Sequence, residues 1–207
     1  KIYAPNEGVE LLYIHGENKN RALVNPNGFP YMNLNFDPYS STLRKNNHHT
    51  LHEVGFDYIN DIISNMVEKS GDDFNKYFKY LGDTIVNGRN CYKILIDYVD
   101  FAYYNYTIKA GENITDIAYR LHLSDYMILE INNLSDYTSA KAGTVIKLPN
   151  VYARKTYLCI DRINYMPILQ EMHDEKGLFS KYEFLNLQIN PVIAPEEFTS
   201  SYKDYKF

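Results

Sequence analysis

The chain has no tryptophan and only two cysteines in 207 residues, and it carries no surplus of positive charge. Lys and Arg number 21 against 26 Asp and Glu, a formal net charge of −5. Without a basic stripe, nucleic-acid binding is excluded as the leading reading. Two cysteines, Cys91 and Cys159, cannot make a disulfide-rich scaffold or a metal site on their own. No apolar run approaches the length of a membrane span. There is no Gly-x-Ser-x-Gly, and neither cysteine has a recognisable histidine partner, so nothing supports nucleophilic catalysis. No carboxylate pair stands out for glycoside hydrolysis either. The reading is therefore of a protein that is not an enzyme.

What the chain does have is tyrosine, 21 residues of it, which suits half-exposed sheet surfaces. Val9–His15 and Arg21–Asn25 read as strands, Asn25-Pro26-Asn27-Gly28 as a turn, and Phe29 to Arg44 as an extended segment with loop. A long helix is expected over about His49 to Lys69, with Leu51, Val54, Tyr58, Ile59, Ile62 and Met66 on one stripe and Gly71 ending it. Phe78–Ile85 and Cys91–Tyr98 flank Asn87-Gly88, a strong hairpin signal. Later strands are expected at Lys155–Asp161, Met166–Met172 and Leu178–Ile189, with Phe198 an anchor in an irregular tail. His48, His49, His52 and Glu53 are the one cluster with metal-like spacing, but no third ligand set accompanies them. They read as residues of the helix start, and neither a metal nor a cofactor is expected. The chain begins at Lys1 in what reads as a strand, so an upstream segment such as a signal peptide is expected.

One block differs from the hairpins around it. Tyr106–Ile108 reads as a strand, Asn113 caps a helix bearing Ile114, Ile117, Ala118 and Leu121, and Ser124 caps a second bearing Met127, Ile128 and Ile131. A last strand runs from Thr144 to Leu148 and closes at Pro149. The residues Y-x-I-K-x-G-E-N-I-x-x-I-A, an Asn after the second helix, and A-G-T-V-I-K-L-P resemble the LysM module over its whole length. Gly111-Glu112-Asn113-Ile114 stands where that family usually has Gly-Asp-Thr-Leu. The resemblance implies binding of N-acetylglucosamine glycans such as peptidoglycan and chitin. The groove would lie between Gly111, Glu112, Asn113, Ile114 and Thr115 on one loop and Asn133, Leu134, Ser135 and Asp136 on the other. Backbone donors and acceptors would meet the acetamide, Ile114 and Leu134 its methyl, and Tyr126 or Tyr137 would have to supply any sugar stacking.

The flanks carry a second resemblance. N-G-R-N-C-Y-K-I-L-I-D, M-P-I-L-Q-E, D-E-K-G-L and Y-E-F-L-N-L-Q-I-N resemble periplasmic lipoprotein carriers of the LolA-like superfamily. N-P-N-G-F-P-Y and R-K-N-N-H-H-T, with the embedded LysM block, are similar to an uncharacterised Gram-negative family of that kind. The fold implied is α+β, a curved antiparallel sheet forming an unclosed half-barrel on the long helix, with an inserted βααβ LysM module. The domains expected are 1–102, 103–151 (LysM) and 152–207. Leu51, Val54, Tyr58, Ile59, Ile62, Met66, Ile94, Ile96, Leu158 and Ile160 would line a cavity for a lipid, a lipoprotein acyl chain or a hydrophobic partner. Taken together these imply a non-enzymatic binding protein of the cell envelope, periplasmic or outer-membrane associated. The alternative is a peptidoglycan-targeted hydrolase or an accessory factor of one. Pairing Cys91–Tyr98 with Lys155–Asp161 would place Cys91 and Cys159 nearly opposite on the more polar face, a geometry open to a disulfide.

Overall fold

The contacts within the chain divide it into two units, residues 1–54 with 188–207 and residues 55–187. The computed structural model describes residues 7–45 and 47–207. Lys1, read as lying within a strand, and Asn46 of the R-K-N-N-H-H-T segment fall outside the described residues.

The first unit is built on a three-stranded antiparallel sheet, β1 (Glu10–Leu12), β2 (Ala22–Asn25) and β3 (Leu34–Phe36) in that order. The expected outer strands are shorter than their hydrophobic patterns, and a four-residue helix α1 (Ser41–Arg44) follows β3. No helix starts at His49, which lies in a bend. Leu51–Glu53 is a single 3-10 turn, begun by a capping box in which the Glu53 carboxylate accepts from the Thr50 N–H at 2.6 Å. Gly55 then sits at φ +118°, a backbone no helix accommodates. The helix starts at Asp57, so α2 (Asp57–Ser70) is short, 14 residues, rather than the long helix the stripe suggests. Leu51 and Val54 are thereby removed from the stripe, and Val54 is exposed.

In the second unit α2 ends at Gly71 and a one-turn helix α3 (Phe74–Tyr77) leads into β4 (Phe78–Val86). β5 (Arg89–Asp97), β8 (Lys155–Asp161), β9 (Pro167–His173) and β10 (Leu178–Glu183) complete an antiparallel sheet of order β10-β9-β8-β5-β4. Its outer strands do not pair with each other, so the sheet is not closed into a barrel. β10 stops well short of Ile189, because Asn186 adopts a left-handed backbone at φ +53°. Between β5 and β8 the chain makes β6 (Tyr103–Thr107), α4 (Ile114–Leu121), α5 (Asp125–Asn132) and β7 (Val145–Pro149). β6 and β7 pair only with each other.

The period-2 pattern sorts β5 and β8 onto two faces. Ile96, Leu158 and Met172 pack with Ile62 and Met66 of α2 and with Val151, Tyr152 and Ala153. Each wholly buried aliphatic side chain there contributes about 1.5–3 kcal/mol. On the opposite face Cys91, Cys159 and Ile168 form a smaller core under Leu187.

That second core corrects the cysteine reading. Cys91 pairs across from Asp161 and Cys159 from Lys93, so the two cysteines are diagonal neighbours rather than opposite. Diagonal Cα atoms lie roughly 7–8 Å apart, beyond the usual span of a disulfide. Both are free thiols and both are buried, with burial pushing each thiol pKa up. Phe198 is likewise no anchor, because it is half exposed in a 3-10 turn.

Candidate glycan-binding site

The 103–149 block is held by its caps. The Asn113 side chain accepts from Asp116 N–H at 2.9 Å and the Ser124 hydroxyl from Met127 N–H at 3.2 Å, starting α4 and α5. His122 and Asn133 end them in left-handed conformations. Between the helices and β6–β7 lies a core of Ile108, Ile114, Ile117, Ala118, Leu123, Ile128, Ile146 and Leu148.

The first of the loops named from the sequence is tied to the residue just beyond the second by one backbone bond, from Ile114 N–H to the Tyr137 carbonyl at 3.1 Å. Gly111 turns at φ +84° with open space where a Cβ would stand, so its backbone, not crowding, requires glycine. Glu112 is anchored from three sides. Its carboxylate accepts from Lys109 N–H at 2.9 Å, from the Tyr106 hydroxyl at 2.8 Å and from Arg120 Nη2 at 2.7 Å. The Lys109 amide, then Tyr106, holds the Glu112 carboxyl below the ordinary carboxylate range. On the facing loop Asp136 accepts from Thr138 N–H at 2.7 Å and from the Thr138 hydroxyl at 2.8 Å, and these bonds lower its pKa. Asn133 and Ser135 are exposed, while Leu134 is half-buried against the core.

Three assignments from the sequence meet other demands. Ile114 is 0 % exposed, so its side chain belongs to the core, and only its backbone lies at the loop. Thr115 donates its hydroxyl to the buried Asp125 carboxylate at 3.0 Å, tying the first turns of α4 and α5 together. Of the two tyrosines, Tyr126 packs on Phe179 of β10 at 6.2 Å between centroids and Tyr137 packs against the module core. Sequence reasoning also missed Asn132. Its amide donates to the Lys147 carbonyl at 2.8 Å and accepts from Lys147 N–H at 2.7 Å, taking the place of a neighbouring strand beside β7. An Asn at the last turn of a helix, one before another Asn, was its only signal.

The side chains assigned to a lipid cavity fall in two places. Tyr58, Ile62, Met66, Ile94, Ile96, Leu158 and Ile160 join one packed cluster between α2 and the sheet, and Ile59 is buried. Leu51 and Val54 belong to the other unit. His49 and His52 make contacts within the first unit, and His52 is exposed. His52 lies 5.1 Å from the rings of both Tyr13 and Tyr39, and His49 Nδ1 is 3.4 Å from Glu53 Oε2. Among the described residues no three His, Cys, Asp or Glu gather as a metal site, and no helix is long and apolar enough to cross a membrane.

A βααβ module with two capped helices and two adjoining loops is thus the class of site the geometry defines. Residues 106–149 match the LysM domain family. The match covers this block alone, and nothing outside it carries a LolA-like assignment. No curated protein and no solved structure matches the chain.

Proposed function

We propose that this chain is a non-enzymatic, glycan-binding protein of the cell envelope. Its LysM domain would hold N-acetylglucosamine-containing chains, peptidoglycan foremost, along Gly111–Thr115 and Asn133–Asp136. The LysM domain supports glycan binding, and the bond from Ile114 N–H to the carbonyl of Tyr137, one residue beyond the second loop, supports placing it there. Glu112 and Asp136, each held by its own loop, keep their backbones ordered before any sugar arrives. The domain is read as an insertion, residues 103–151, between two parts of the flanking fold.

The packing of α2 on the sheet favours a scaffold over an acyl-chain cavity, because seven of the side chains proposed to line the cavity pack into one cluster instead. The test is NMR titration of the whole chain with a chitin oligomer. Amide shifts confined to residues 111–115 and 133–136 are expected, and stationary resonances there would refute the assignment. Co-sedimentation with purified peptidoglycan, without released muropeptides, separates binding from the hydrolase alternative.

A further inference from the structure

The first unit presents its largest apolar side chains at one turn. Between Arg21 and Asp37 the chain carries no charged residue. In the middle of that stretch, where β2 turns toward β3, Phe29 is 86 % exposed, Tyr31 84 % and Met32 60 %. Folding has covered Ala22 and Val24 of the same stretch and left these three in water. Three large apolar side chains exposed within four residues of one turn mark an interaction surface.

The turn is braced rather than loose. Tyr31 N–H donates to the Gly28 carbonyl at 2.6 Å, and the Phe29 and Tyr31 rings meet edge to face at 6.4 Å. At its base Asn27 N–H donates to the Asn25 side chain at 2.8 Å, and the Asn27 amide donates to the Glu7 carbonyl at 3.2 Å. The C-terminal segment is fastened to the same base. Asn25 Nδ2 donates to the Lys206 carbonyl, and Lys206 N–H donates to Glu10 at 2.6 Å. This brings Lys206 Nζ to 3.4 Å from Asn27 Oδ1, beside the apolar tip. Tyr202, Tyr205 and Phe207 stack edge to face along that segment.

We propose that the turn Phe29–Met32 inserts into the interfacial layer of a phospholipid bilayer, with Lys206 set against lipid phosphates. Three features favour a lipid surface. The tip protrudes and needs no matching pocket. Phenylalanine and methionine suit the acyl boundary, and the tyrosine hydroxyl suits the headgroup level. A cation, Lys206, stands at the base of the same turn, the usual partner of an interfacial apolar face. Because the chain as a whole is at −5, attraction over distance is absent. Binding therefore depends on apolar insertion and is only weakly sensitive to salt.

The absence of tryptophan makes the test direct, since Tyr31→Trp introduces the only indole. With the whole chain, phosphatidylcholine vesicles containing phosphatidylglycerol should shift the indole emission to the blue, and brominated acyl chains should quench it. Phe29→Ser in that background should reduce partitioning about tenfold, the loss of most of one buried aromatic side chain, with unchanged circular dichroism. Lys206→Gln should reduce it less, and mainly on vesicles with phosphatidylglycerol. An indole that keeps its aqueous emission at saturating lipid overturns the proposal. So does a blue shift that follows protein concentration without lipid, which would assign the turn to a second copy. A shift produced by purified peptidoglycan and not by vesicles overturns it as well.

Discussion

Glu112 shows how one side chain can order a loop. It draws an amide, a phenol and a guanidinium into one carboxylate, and with the acid held below its ordinary range the linkage has a definite sign. A carboxyl with a depressed folded pKa contributes fully above its unfolded value and loses that contribution as the pH falls through the folded one. Thermal midpoints of the wild type should therefore fall on acidification below the ordinary carboxylate range. Glu112→Gln, measured over the same titration, should fall less steeply and should start lower at neutral pH. Asn132 is the companion case. Asn132→Ala removes the side-chain bonds to Lys147 and Ile128 and should cost about 1–2 kcal/mol by denaturant unfolding. No change would mean that water replaces the amide at β7.

At the scale of elements, local chemistry decided what was legible. Asn113 and Ser124 announce α4 and α5 because a cap satisfies orphan N–H groups within three residues, and both helices start where the sequence places them. Ser124→Ala should accordingly destabilise the protein by about 1 kcal/mol, read from the thermal transition. α2 failed the same kind of reading. An apolar stripe runs through 51–66 without a break, but a stripe reports only spacing, and Gly55 carried the contrary signal. The strand positions of β5 and β8 were legible from alternation. Their relative register was not, because it is set by cross-strand hydrogen bonds, and a two-residue offset moves Cys91 from Cys159 to Asp161. The loops of the candidate site were legible as loops. Which side chains they spend on their own folding, Ile114 and Thr115 among them, depended on packing that no local pattern encodes.

At the scale of the molecule, the buried thiols give a simple check. Two reactive thiols should be counted in denaturant, equally with and without prior reduction, since both cysteines are free. A larger test concerns the LysM domain. Replacing residues 103–151 with a short turn should leave a cooperative unfolding transition at a lower midpoint. The loss follows from contacts that cross the junction. Tyr58 donates to the Leu123 carbonyl at 3.3 Å, Tyr126 packs on Phe179, and Val151 is part of the sheet's core. Loss of the transition altogether would make module and sheet a single folding unit.

The junction itself is bound across. The Asn150 side chain donates to the Asp100 carbonyl at 2.8 Å and accepts from Ala102 N–H at 3.1 Å, and Tyr98 N–H meets the Arg154 carbonyl at 2.8 Å. Tension applied through a captured glycan would enter β5 and β8 at the same end and draw both strands the same way. Those two strands would then slide against β4 and β9 on either side, with the ladder hydrogen bonds lying across the direction of pull. Bonds arranged so share a load and yield together, whereas a hairpin peeled from its tip yields one bond at a time. A pull directed along the strands would then meet the whole ladder at once rather than its first bond.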